Sequence, residues 1–386
     1  MATRKRRAEA AAPRPLRVCI LGGTGLLGYH AALEFLRRGH EVQTIALRDI
    51  ELGAWFPRQI EVHEADITQL DERALVERLR GVDALVYALG PDDRTVPDAP
   101  AYEFFRQRLV RQCERIFIAA RKAGVTRGTV LGSYFTHFDR VWPHKQLAER
   151  HAYIRCRVEQ ARRAIAAGGR TLAVSVLELP YIFGTMPQRV PLWKEFVLDA
   201  LVRMPVVFYP DGGSTMITAA HVGEAVVGAI ERGVHGQHYP IGDENLSWDE
   251  MLGVMLRTLG MPDKRVIHIG PRIGSLLGRV QRGIEARRGK ESGLDAELLF
   301  PDVMCERLFM DPSLSAAALG YGRGGVREAI EQTVRASYPE RFAASHESAA
   351  PAGRGARRDA PKARAAAKSA RSGARSARRS TRSRAG

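Results

Sequence analysis

No stretch of this chain runs to about 18 consecutive apolar residues, so no membrane-spanning helix and no membrane partner are expected. The first fifteen residues, Met1 to Pro15, are basic and alanine-rich and lack the apolar core of a secretory signal. Cysteine is scarce. Cys19, Cys113, Cys156 and Cys305 are far apart and no C-x-x-C occurs, which argues against a disulfide framework and fits reduced thiols in a cytoplasmic protein. Metal-ligand clusters are missing too. His235-Gly236-Gln237-His238 has suggestive spacing but sits at a turn with no cysteine or acid cluster nearby, so no metal is expected.

Aromatic and aliphatic anchors are almost absent from residues 346–386, where twelve Lys/Arg stand against two acids. Such a segment cannot bury enough surface to offset the entropy of ordering and is expected to be disordered. Residues 1–15 carry five Lys/Arg and one Glu. The formal charge of +16 therefore lies mostly in the two tails, and the span between them is close to neutral. With no aromatic to stack on bases, solvated tails are the plainer reading. Weak, salt-sensitive contact with nucleic acid or another acidic surface is the alternative.

Between the tails, strand and helix patterns alternate from residue 16 onward. That rhythm predicts an α/β fold, a doubly wound parallel sheet covered by helices on both faces. Strands are expected at 18–21, 42–46, 60–63, 84–89, 129–133 and 172–177, with long helices at 101–123 and 146–167. After Pro180 the rhythm changes, with helices expected near 193–203, 219–232, 274–289 and 325–336. Ser247 and Glu250 read as a capping box.

The most informative segment is Gly22-Gly23-Thr24-Gly25-Leu26-Leu27-Gly28, which follows an apolar strand and opens a helix. Gly22 allows a tight turn, Gly25 lets backbone approach a phosphate, and Gly28 permits close packing of helix on strand. A helix N-terminus aimed this way favours a pyrophosphate. Cofactor choice turns on the end of the second strand, Thr44-Ile45-Ala46-Leu47-Arg48-Asp49. The place of the usual ribose-binding acid is neutral near Ala46, and Arg48 is suited to a 2′-phosphate, which points to NADP. Asp49 leaves NAD open.

The chain resembles the extended short-chain dehydrogenase/reductase family, the NAD(P)-dependent epimerase/dehydratase group, over about residues 16–338. The resemblance rests on the glycine segment, Ala65-Asp66-Ile67, Gly132-Ser133, Tyr153-Ile154-Arg155-Cys156-Arg157, Leu179-Pro180-Tyr181-Ile182-Phe183-Gly184, His221-Val222-Gly223-Glu224-Ala225 and Leu319-Gly320-Tyr321. It implies a Rossmann-type domain formed by 16–180 and 216–241, and a smaller C-terminal substrate-binding lobe formed by 181–215 and 242–338. It places Asp66 and Ile67 beside the adenine, Ala88, Leu89 and Gly90 along the cofactor, and Pro180 and Ile182 near the nicotinamide. Related proteins pair through the two long helices, which implies a homodimer.

The resemblance also implies Tyr153 as acid/base and Ser133 as the hydrogen-bonding partner of the reacting oxygen. Arg157 stands where the family has lysine, one helical turn beyond Tyr153. Its charge can lower the phenol's pKa and its donors can hold ribose hydroxyls, but it cannot relay a proton. Tyr87 and Leu109 replace a histidine and an asparagine common in the family. Two functions follow: an oxidoreductase or epimerase/dehydratase acting on a small, sugar-nucleotide-like substrate, or a non-catalytic NADP sensor of the same fold. Glu178 is unusual for a buried strand, and either an ion pair or substrate contact would account for it.

Overall fold

The computed structural model describes residues 14–47 and 51–342. Arg48, Asp49 and the basic tails, apart from Arg14 and Pro15, lie outside the described residues. The chain opens with β1 (Arg17–Leu21), α1 (Leu26–Arg37), β2 (Glu41–Ala46), β3 (Glu61–Glu64), α2 (Glu72–Arg78) and β4 (Ala84–Tyr87). Helices α3 (Ala101–Phe105) and α4 (Gln112–Lys122) follow, then β5 (Arg127–Leu131), α5 (Phe135–Val141), α6 (Leu147–Arg150), α7 (Ala152–Gly168) and β6 (Ala173–Glu178). The next group is β7 (Tyr181–Phe183), α8 (Asp199–Arg203), β8 (Val207–Pro210), β9 (Gly213–Thr218), α9 (Ala219–Arg232) and β10 (His238–Pro240). The last group is β11 (Glu244–Ser247), α10 (Trp248–Thr258), β12 (Val266–Ile269), α11 (Pro271–Arg287), β13 (Arg307–Leu308), α12 (Ser313–Leu319) and α13 (Val326–Ser337).

Seven strands form one sheet in the order β10-β6-β5-β4-β1-β2-β3. Every pair in it is parallel. Its strands are apolar on both sides because helices cover both faces. On one face Ala31 and Phe35 of α1 pack with Val222, Val226 and Ile230 of α9. On the other, Ile116, Phe117 and Ala120 of α4 pack with Ala161 and Ala164 of α7. The fold is therefore Rossmann-type α/β. The strand order reverses between β1 and β4, which opens a crevice at the carboxyl edge of the sheet where such folds bind ligands.

Two small sheets complete the chain. Strand β9 pairs with β7, β11 and β13, and β8 pairs with β12. Their core holds Trp248, Met251, Met255, Ile330 and Val334. The capping box at Ser247 and Glu250 is formed, with each side chain bonded to the other's backbone amide.

Both long helices expected from the pattern are interrupted. The first carries a π-helical stretch at Arg106–Arg111 between α3 and α4. The second breaks at His151, whose backbone is extended at φ −127° and ψ 116°. His151 is held there from outside the helix. Its Nδ1 accepts the Asp295 amide at 3.0 Å, which leaves Nε2 to donate to Asp302 at 3.2 Å.

Candidate active site

The glycine segment forms the turn expected of it. Gly22 has φ +86°, and a Cβ there would lie 2.8 Å from the Ala88 carbonyl oxygen. At Gly28 an added Cβ would lie 2.3 Å from the Gly22 carbonyl oxygen. The Gly23 amide donates to Thr44 Oγ1 at 2.9 Å, and that hydroxyl donates to the Ile20 carbonyl at 2.7 Å, pinning the turn to β2. Gly25 is the N-cap of α1 and offers no side-chain acceptor to the first turn. Those amides point from the helix end with the positive dipole behind them. Thr24 is buried in the turn, while Leu26 and Leu27 pack against the core beneath it.

Leu89 also borders the turn, with its Cδ2 3.0 Å from the Cβ that Gly22 lacks. Gly90 has φ +125° and abuts Leu109. Asp66 is exposed and caps its own turn, accepting from the Thr68 amide and hydroxyl at 2.9 and 2.6 Å. Ile67 is buried beside it, and its carbonyl accepts from Arg115 at 2.8 Å. Pro180 follows β6. Ile182 pairs with Ile217 in β9, and its carbonyl accepts from Trp193 Nε1 at 2.8 Å.

Tyr153 and Arg157 lie together on α7, both buried. Arg157 Nε donates to the Tyr153 hydroxyl at 2.9 Å, and its Nη1 donates to Gln160 Oε1 at the same distance. The expected lowering of the Tyr153 pKa is not what this environment produces. Burial pushes the hydroxyl up to about 12, and the charge and hydrogen bond of Arg157 offset it only in part. The phenol stays protonated at neutral pH. Ser133 is also buried, at the exit of β5, and its Oγ accepts the Phe135 amide at 3.3 Å. Phe135 connects it to Tyr153, with ring centres 6.4 Å apart.

Two features escaped the sequence reading. Asp93, in the loop after β4, is half-buried, and burial raises its carboxyl above the usual range against the pull of Arg94. Its charge is felt by Tyr134, Tyr153 and Tyr181. The run Asp92-Asp93-Arg94 beyond strand four was the available signal. Tyr87 lies fully buried, and its hydroxyl has no hydrogen-bond partner among the described residues.

Glu178 resolves as an ion pair. It is fully buried, accepts from Arg140 at 2.6 and 2.9 Å, and accepts from Thr136 at 2.6 Å. His238 Nδ1 lies 3.0 Å away. His235 Nδ1 accepts the Val174 amide at 3.1 Å. Among the described residues, no group of three His, Cys, Asp or Glu side chains is placed to hold a metal. In the 142–145 loop, Trp142 packs on Phe138 and Lys145 pairs with Glu306 at 2.6 Å.

Residues 22–169 match the family model described as NAD(P)H-binding. No curated protein matches the chain. Solved structures do. A nucleoside-diphosphate-sugar epimerase from Pseudomonas aeruginosa has 18% identity and a TM-score of 0.63, over 84% of this chain and 98% of that one. The dTDP-glucose 4,6-dehydratase from Streptomyces venezuelae, solved with NAD bound, has 18% identity and a TM-score of 0.59, over 84% and 97%. MoeE5, solved with UDP-glucuronic acid and NAD, has 18% identity and a TM-score of 0.60, over 84% and 99%. At such identities the likeness establishes the fold. The chain thus has the fold of these epimerase and dehydratase structures. Within it, residues 22–169 are the part matched as NAD(P)H-binding.

Proposed function

We propose that this protein is an NAD(P)-dependent oxidoreductase or epimerase/dehydratase acting at a hydroxyl or carbonyl carbon, with Tyr153 as its acid/base. The carrying observation is the buried Arg157–Tyr153 hydrogen bond at 2.9 Å, in a fold whose glycine turn closes tightly at the N-terminus of α1. The residues present fit the cofactor. Gly22 and Gly28 leave no space for side chains, and Gly25 at the N-cap of α1 gives the first-turn amides no capping side chain. When bound, a nicotinamide dinucleotide would supply or accept a hydride.

The protein's residues divide the remaining work. The amides of Gly25 to Leu27 hold the phosphates, while Ala88, Leu89 and Gly90 border the chain of the cofactor. Asp66 and Ile67 flank the adenine, and Pro180 and Ile182 flank the nicotinamide end. The Tyr153 oxygen accepts from Arg157, so its own proton is free to be donated to a substrate oxygen. Ser133 orients that oxygen. The substrate lobe, 181–215 and 242–338, takes a nucleotide-linked sugar. Support for that class comes from similar structures solved with UDP-glucuronic acid or UDP-glucose.

The test pairs turnover with binding. Purified protein is given NADPH and a panel of carbonyl and sugar-nucleotide substrates, followed by loss of reduced-cofactor absorbance and by product analysis. Tyr153→Phe should lower turnover about 10²- to 10⁴-fold with NADPH affinity nearly unchanged. A wild type that binds NADPH and converts none of the panel, while changing affinity for a protein partner, would instead support a cofactor sensor. Arg157 favours that second reading to one degree, since it cannot relay a proton.

A further inference from the structure

Helix α11 is mounted with its faces reversed. Its small residues face the protein: Gly274 and Gly278 are buried, as is Glu285. A Cβ at Gly274 would lie 2.1 Å from the Phe300 ring, and one at Gly278 would lie 1.8 Å from the Ala296 carbonyl oxygen. The large aliphatic residues face solvent. Ile273, Leu276, Leu277 and Val280 are 51–59% exposed and Ile284 is 37% exposed. At 100° per residue these five fall within one stripe about 100° wide, running most of a helix about 25 Å long.

Basic residues border the stripe. Arg272 lies on one flank, Arg287 continues the stripe at its C-terminal end and Arg288 follows it, all exposed. None of the three has an ion pair with a described residue. Arg279 and Arg282 lie further round and are paired to Glu297 and Asp295. The helix's one acid, Glu285, is buried and occupied with Ser292 and Gln281. An aliphatic face flanked by unpaired arginines, with no exposed acid on the helix, is complementary to an anionic lipid surface. The five side chains fall short of the roughly 20–30 residues a side of a stable dimer, and two copies would bring like charges together.

We propose that α11 is a peripheral membrane-docking helix. It lies flat in the headgroup region of an anionic bilayer, with Ile273, Leu276, Leu277, Val280 and Ile284 inserted and the free arginines on lipid phosphates. No described helix is long and apolar enough to cross a membrane, and this contact requires none.

The full-length protein should co-sediment with phosphatidylcholine vesicles rich in phosphatidylglycerol, and much less with phosphatidylcholine alone. The triple variant I273S/L277S/V280S keeps both basic tails and changes only exposed positions. It should lose vesicle partitioning by about tenfold or more with an unchanged circular dichroism melt. R272Q/R287Q/R288Q should lose the preference for anionic lipid. Wild type that stays in solution overturns the proposal. So does a triple variant that sediments like wild type, which would place binding elsewhere in the chain. A wild-type dimer converted to monomer by the triple variant, without lipid binding, would also overturn it in favour of a second copy on this face.

Discussion

Arg157 and Tyr153 are one helical turn apart, and the guanidinium Nε donates to the phenol oxygen at 2.9 Å in a buried setting. A cation this close would ordinarily ease ionisation of a phenol. Here desolvation outweighs it and the hydroxyl sits at about 12. Tyr153 thus stays protonated through the neutral range.

Removing the guanidinium should reveal how much rests on it. Arg157→Ala leaves the Tyr153 hydroxyl and Gln160 Oε1 without their donor. We expect a stability loss of about 1–3 kcal/mol in urea titrations and a larger proportional loss of turnover than of cofactor affinity. Arg157→Lys restores one charged donor and should recover most of the stability. Equal stability in wild type and Arg157→Ala would show that the pair does not organise the site.

The glycine turn gives a sharper contrast. Gly28→Ala forces a Cβ to within 2.3 Å of the Gly22 carbonyl oxygen, so the turn must move. NADPH affinity should fall by about tenfold or more in calorimetry. Gly283→Ala is the control, because nothing lies within 4 Å of an added Cβ on that exposed helical position. It should leave affinity unchanged and stabilise the chain by about 0.5–1 kcal/mol.

Acid stability should report Glu178. Burial alone would raise its pKa, but hydrogen bonds from His238, Arg140 and Thr136 bring it down to about 2 from an ordinary value of 4.5. A depressed carboxylate contributes stability that is full above its unfolded-state pKa. That stability is lost as pH falls from about 4.5 toward 2. Melting curves should therefore decline across that window in wild type and decline less in Glu178→Gln. The variant's cost at neutral pH should stay below the roughly 3–5 kcal/mol of a wholly buried pair, because Arg140 is 46% exposed and regains water.

Asp93→Asn tests whether a second group handles protons near Tyr153. Its raised carboxyl faces the tyrosine cluster without an ion pair of its own among the described residues. The variant should lose turnover and its pH dependence should change, with NADPH affinity held. An unaltered pH profile would assign Asp93 to loop structure.

Much of the fold was legible because its signals are local. Alternating apolar runs marked the strands of the parallel sheet, and the glycine spacing marked the turn that opens α1. Ser247 and Glu250 identified the start of α10 from four residues. The break at His151 was not legible, since its cause lies in Asp295 and Asp302, far along the chain. Tyr153 could be named from its place before Arg157. Its raised pKa could not be foreseen, because burial by Phe105 and Phe135 is a tertiary fact. The pattern of α11 showed a helix but not which side it turns inward. Only Gly274 and Gly278 against Phe300 and Ala296 show that.

The amide of Tyr153 donates to the Gly293 carbonyl at 2.8 Å, across 140 residues of sequence. During synthesis, every glycine of the turn before α1 and the tyrosine itself leave the ribosome long before that acceptor exists. A nascent chain thus closes its glycine turn early, while the anchor of Tyr153 waits for the stretch that follows α11.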